Sequence, residues 1–309
     1  LEKMYSIIKN AYYVGINHIE TAPSYGDAES LIGNSIKKLA IEENIKEKNW
    51  VITSKVLPKG DFDFLKNNFK KSLKNLNREK INNLAIHGLN LKQHLDWVLA
   101  GEGKKFISWI LEKELVDQVG FSSHGSYSLI KDAINCEVFT FCSLHLHYLD
   151  QSKIALAEEA IKKGMGVLAI SPADKGGRLY SPSDILLEAS KPFHPLELAY
   201  RFLLAKGITT LSLGATNKKD FEFAHKLRNS FEKLTKLEKS ALNKIEEVSN
   251  ERLNSTKCEQ CRSCLPCPNE VPIPEILRLR NISVGYGQLE FAKERYNLIG
   301  KAGHWWEEK

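Results

Sequence analysis

Cys258, Cys261, Cys264 and Cys267 fall within ten residues and are followed at once by Pro268. Thiols this close make poor disulfide partners, because bridging them demands strained short loops. A Cys-x-x-Cys-x-x-Cys run ending in Cys-Pro can turn several sulfurs toward one point, which is what a 4Fe-4S cluster requires, and the spacing predicts that cluster here. A structural zinc, whose ligands usually come as two separated pairs, and a tract of merely reactive thiols are the alternatives. Cys136 and Cys142 lie in an apolar stretch and read as core residues. A second group of residues could move protons. Residues 18–26 read His-Ile-Glu-Thr-Ala-Pro-Ser-Tyr-Gly, Lys55 ends the run 51–55, and His87 ends the run 84–87. Brought to one pocket, Glu20, Tyr25, Lys55 and His87 would form a proton donor. An ammonium beside a phenol favours its ionised form; the carboxylate would hold that ammonium charged, and the imidazole would orient a carbonyl oxygen. Any one of these residues alone reads as surface decoration. The weight lies in all four together.

The elements that must position them alternate. Short apolar runs at 15–19, 50–55, 82–87, 116–121, 138–146, 166–171 and 207–213 read as strands. Amphipathic stretches such as 29–39, 62–76, 103–113, 152–163 and 195–206 lie between them and read as helices. Repeated βα units imply parallel strands joined by crossovers. The strand runs carry little polar alternation, as expected of strands buried on both faces. No Gly-x-Gly-x-x-Gly marks a first strand–helix turn, and the polar groups fall at the C-terminal ends of several different strands. That distribution favours a (β/α)8 TIM barrel over an open doubly wound sheet. Seven strands are readable, and the chain opens at Leu1 in a helix-like segment, so the first barrel strand is expected to be missing from a fragment.

The barrel is expected to span residues 1–248. Thr235 and Glu238 form a capping box, and the helix that follows should turn Leu237, Ala241, Leu242, Ile245 and Val248 inward. A small helical cysteine-rich domain is expected over 249–309. Among 309 residues the formal net charge is +6, spread over many positions. No basic stripe interleaved with aromatics points to nucleic acid, and no apolar run is long enough to span a bilayer. Clustered thiols without a disulfide framework favour a reducing, cytoplasmic setting.

The segment from Glu20 through Gly26, with Lys55 and His87, resembles the aldo/keto reductase signature, in which a strand ends in Asp-Thr-Ala and a Tyr-Gly follows. The resemblance implies Tyr25 as general acid, Lys55 as its activator, His87 as the carbonyl-orienting group, and Glu20 where the family has Asp. It extends to the segment 120–124, where Ser122 and Ser123 stand at the nicotinamide carboxamide position, with Ser123 replacing the usual Asn. Ser143 and His147 stand where Gln and Asn are usual. Ser171, Lys175 and Gly176 match the region around the cofactor diphosphate. Gly214, Asn217 and Lys218, followed by Lys219, match the region that holds an adenosine 2′-phosphate. NADP(H) is implied as cofactor, with NAD(H) the other possibility, and a small-molecule carbonyl or alcohol as substrate. With the cysteine run at 258–267 the chain resembles the iron–sulfur-associated subgroup. That subgroup implies a second cysteine motif, which would begin about where the chain stops at 300–309 and is expected to be missing from a fragment; it also implies electron relay through the cluster and a ferredoxin-like partner. The competing reading is a degraded barrel that serves as a binding module with a structural metal knot.

Overall fold

The computed structural model of the chain describes residues 1–261 and 263–299. It opens with α1 (Glu2–Tyr13) and continues through β1 (His18–Glu20), α2 (Ala28–Glu42), β2 (Val51–Val56), α3 (Phe62–Asn75) and β3 (Ile81–Ile86). Two helices, α4 (Lys92–Ala100) and α5 (Glu102–Glu112), lead to β4 (Val116–Ser123), followed by α6 (Tyr127–Asn135), β5 (Phe141–His145), α7 (Ile154–Lys162) and β6 (Gly166–Ile170). Then come α8 (Asp184–Ala189), α9 (Pro195–Ala205), β7 (Thr210–Leu211), α10 (Glu222–Leu227), α11 (Lys236–Leu253), α12 (Ile273–Arg280) and α13 (Leu289–Tyr296).

The strands follow one another in the sheet in chain order, β1 to β7. From β1 to β5 the pairing is parallel: Glu20 stands opposite Thr53, Lys55 opposite Ala85, Leu84 opposite Val119 and Gly120 opposite Phe141. Leu84, Ala85 and Ile86 have no exposed surface, as strands covered on both faces require. At Gly120 an added Cβ would lie 2.4 Å from the carbonyl oxygen of Phe141, so a side chain there would force β4 and β5 apart. Helix starts follow their caps. Asp61 accepts from the Phe64 N–H at 2.8 Å at the head of α3, and Ser126 accepts from Leu129 at 3.3 Å at the head of α6.

The (β/α)8 barrel, expected with its first strand missing, is corrected: the described residues build an open sheet of seven strands. Alternating βα units feed an open parallel sheet and a closed barrel equally well. Closure depends on a last hydrogen-bonded seam that side-chain periodicity does not encode. The iron–sulfur domain expected after residue 248 is likewise corrected. Among the described residues no group of three or more His, Cys, Asp or Glu side chains is placed to hold a metal ion. Residues 300–309, about where the missing second cysteine motif would begin, lie outside the described residues.

The chain divides into two compact units. The first comprises Leu1–Leu144, Leu156–Leu168 and Ser212–Arg228; the second comprises His145–Ala155, Ala169–Leu211 and Asn229–Lys309. In the first, Glu29 of α2 is buried and accepts from the Ser54 hydroxyl at 2.7 Å and from the Asn75 amide at 3.3 Å, tying β2 and the end of α3 to one helix. In the second, α9 is buried along almost its whole length. Its Arg201 donates to Glu238 at 2.7 Å, and Glu238 also closes the Thr235 capping box at the head of α11. Along α11, Ala241, Leu242 and Ile245 face inward as expected, but Leu237 is 55% exposed. It sits in the first turn, and the buried place three residues after the cap goes to Glu238 instead. Leu279, Ile282 and Ala292 form a further apolar cluster. Among the described residues no helix is long and apolar enough to cross a membrane.

Candidate active site

The ends of β1, β2 and β3 converge because these strands are parallel neighbours in register. Lys55, in β2, is only 1% exposed. Its ammonium forms an ion pair with Glu20, donates to the Thr21 carbonyl at 3.2 Å, and donates to the Tyr25 hydroxyl at 3.0 Å. Tyr25 remains 47% exposed, so the phenol is held from within and open to solvent outside. The Lys55 nitrogen lies 4.6 Å from the Tyr25 ring centroid, and the His87 ring meets Tyr25 edge-on at 5.8 Å. Burial, and next the Lys55 charge, push the His87 imidazole down to about 4, so the ring is neutral at neutral pH. Its Nδ1 lies 3.4 Å from the Ser24 hydroxyl. The four residues expected to act together are thus brought together. The longer Glu20 reaches Lys55 from the last position of β1, so replacing the family's Asp leaves the ion pair in place.

Ser122 and Ser123, at the end of β4, bind the loop after His87. Ser122 accepts from the Gly88 N–H at 3.0 Å, and Ser123 donates to the Leu89 carbonyl at 2.6 Å while accepting from the Gly125 N–H at 3.0 Å. Ser143, on β5, is fully buried with no partner for its hydroxyl. Asn90 escaped the sequence reading. It is 5% exposed, its Oδ1 accepts from the His124 N–H at 2.7 Å, and its Nδ2 has no partner. A loop asparagine four residues past a strand carries no periodic signal, and only the fold shows it buried. Gly214 faces open space, whereas Asn217 spends its side chain accepting from the Lys219 N–H at 2.9 Å, and Lys218 is exposed.

In the second unit, His147 Nε2 lies 3.1 Å from Asp174, and the Lys175 ammonium lies 3.7 Å from Glu275. Ser171 and Gly176 both have positive φ, 55° and 85°, so the backbone of this segment turns tightly.

Two of the four tail cysteines have local partners. Cys258 accepts from the Gln260 amide at 3.3 Å, and Asn281 brackets its backbone, accepting at 3.2 Å and donating at 2.7 Å. Cys261 pairs with the Ser263 hydroxyl at 3.2 Å, which holds its thiol below the usual range. Cys261 and Cys264 are exposed, and Cys258 and Cys267 are half-buried. Spacing in sequence permitted convergence, but the backbone does not wind the sulfurs inward. Because no donor set is found among the described residues, the 4Fe-4S cofactor, the electron relay, the ferredoxin-like partner and the alternative of a structural metal knot are overturned.

The Aldo/keto reductase family model matches residues 1–252, and the chain belongs to this family of oxidoreductases. The aldose reductase of Encephalitozoon cuniculi is 29% identical over 180 residues, covering 53% of this chain and 58% of that protein. The chain spans less than two thirds of the length of the curated relatives it matches. Among solved structures, an aldo-keto reductase from Bacillus halodurans in its holo form superposes with a TM-score of 0.64 at 19% identity, covering 78% of this chain and 86% of that one. An aldo-keto reductase complexed with NADPH gives a TM-score of 0.63 at 18% identity, covering 78% and 77%. At these identities the structural likeness speaks for the fold. The family match does not extend to an iron–sulfur subgroup.

Proposed function

We propose that the chain is an NAD(P)H-dependent oxidoreductase that reduces a small-molecule carbonyl, or oxidises the corresponding alcohol, with Tyr25 as proton donor. The observation that carries this reading is Lys55, a buried ammonium that touches Glu20 on one side and the Tyr25 hydroxyl at 3.0 Å on the other. Reduction of a carbonyl needs a hydride at carbon and a proton at oxygen, and a bound reduced nicotinamide supplies the hydride. The proton leaves Tyr25 Oη. The phenolate that remains faces the Lys55 ammonium, which is already in place and needs no reorganisation. Glu20 keeps that ammonium fixed in place. His87, neutral because burial and the Lys55 charge depress its basicity, can donate one N–H to the carbonyl oxygen without competing as an acid.

The residues at the ends of β3 to β5 fit an amide-bearing ring. The Ser143 hydroxyl and the Asn90 amide nitrogen are buried polar groups without partners, and buried polar groups ordinarily have them. Ser122, Ser123 and His147 belong to the same proposal. Ser171, Lys175 and Gly176 are proposed for the diphosphate, and Gly214, Asn217 and Lys218 for the adenosine end. NADP(H) is favoured over NAD(H) by the exposed Lys218 and Lys219 and by the related structure complexed with NADPH. A division of the chain near residue 248 and a cytoplasmic setting remain proposals too, the second supported by six free thiols. The test is Tyr25→Phe. Carbonyl reduction should fall by at least about a hundredfold, the scale of a lost general acid, while NADPH binding measured by fluorescence titration is retained. Turnover that survives the substitution would remove Tyr25 from its role.

A further inference from the structure

A cavity of about 380 Å³ lies wholly within the second unit, and much of its wall comes from residues after 252, where the family match ends. Part of its wall is polar and buried. His147, Asp174, Arg178 and Arg278 line it at 3%, 1%, 3% and 7% exposure. Asp174 stands between the two arginines, with Arg178 Nη2 2.7 Å from one carboxylate oxygen and Arg278 Nη2 donating to the other at 2.8 Å. His147 lies beside the same carboxylate, and burial holds its imidazole toward the neutral form. Two guanidinium charges therefore share one carboxylate. The other acids that line the cavity are engaged or exposed. Asp150 accepts from the Ser152 N–H and hydroxyl with the Lys153 charge nearby, Glu246 pairs with Lys257 at 3.7 Å, and Glu259 is exposed.

Arg178 shows what is missing. Its guanidinium lies 5.3 Å from the Tyr286 ring centroid, yet its Nε and Nη1 have no partner, and neither has His147 Nδ1. A buried cation without a full counter-charge is costly, and a guanidinium edge presents the paired donors that match an oxyanion. We propose that this cavity is an oxyanion site, sized for a small phosphate- or carboxylate-bearing molecule, in which Arg178 and Arg278 take the anionic group. The site goes beyond the reductase reading, with which it shares His147 and the loop 171–178 proposed there for the cofactor.

The experiment is isothermal titration of the whole chain with inorganic phosphate at low ionic strength, after melting curves have shown each variant to be folded. Saturable one-to-one uptake is expected. Arg278→Gln should weaken it by roughly tenfold or more, as loss of a charge-assisted contact does. Asp174→Asn should tighten it, because it removes the competing negative charge. Should Arg278→Gln not fold, Arg278→Lys keeps the charge, loses the fork, and should bind with intermediate affinity. Absence of saturable uptake overturns the proposal. So does equal weakening in the arginine and Asp174 variants, which would mark the cluster as a folding brace. Displacement of phosphate by stoichiometric NADPH also overturns it, since the anion would then belong to the dinucleotide.

Discussion

Lys55 does three things with one ammonium: it closes an ion pair with Glu20, pins the Thr21 carbonyl, and reaches the Tyr25 hydroxyl. Glu20 is the residue where this chain departs from the family signature, and the ion pair survives the departure. Glu20→Asp should therefore keep the rate of carbonyl reduction within about threefold, as expected where no charge-assisted contact is lost outright. A much larger loss in steady-state assays would show that the extra methylene sets the position of Lys55. His87 yields a pH prediction. Its folded imidazole resists protonation until about pH 4, whereas the ordinary value is 6.5. Between those values the unfolded chain binds more protons than the folded one, so stability declines as pH falls through that window. Urea midpoints should drop from pH 7 toward pH 4, and His87→Gln should flatten that slope. All four residues were legible because type, order and strand-end position coincided. Asn90 and Ser24 were not, since their roles come from loop geometry and not from spacing.

Elements set those positions through their seams, and the seam between α2 and α3 is a tight one. A Cβ on Gly33 would sit 2.6 Å from both the Asn75 carbonyl oxygen and the Leu76 carbonyl carbon. Gly33→Ala should cost about 1–3 kcal/mol through overpacking, read from urea unfolding. The same seam carries Glu29 to Ser54, one residue before Lys55. Strands were legible as apolar runs, although their ends moved: β4 continues to Ser123 and β7 is only Thr210–Leu211. Helix α4 went unread because its nine residues are short and bury only Leu95 and Val98. Barrel closure was over-read, since a βα repeat has the same pattern in open and closed sheets. The cysteine run was over-read for a related reason. Spacing reports distance along the chain, while metal binding depends on where the backbone turns each sulfur.

At the scale of the molecule, the proposed proton donor belongs to one compact unit and the arginine-lined cavity to the other. The second unit depends on a buried ion pair, for Arg201 and Glu238 are each 6% exposed and Arg201 also donates to the Ser230 and Glu232 carbonyls. Arg201→Met leaves that carboxylate without its cation and should cost about 3–5 kcal/mol, seen as a lower melting temperature. If the melting temperature holds, the Thr235 cap alone sustains α11. In the first unit, Tyr25 is a half-exposed side chain that is nonetheless held, by an ammonium at its face and an imidazole at its edge. An exposed tyrosine ordinarily changes rotamer on the picosecond to nanosecond scale. Here the rotational freedom is surrendered when the chain folds, not at each encounter. On the proposed function a substrate arriving through open water would meet a donor already held in place, and loosening either contact would be felt first as a less favourable entropy of activation.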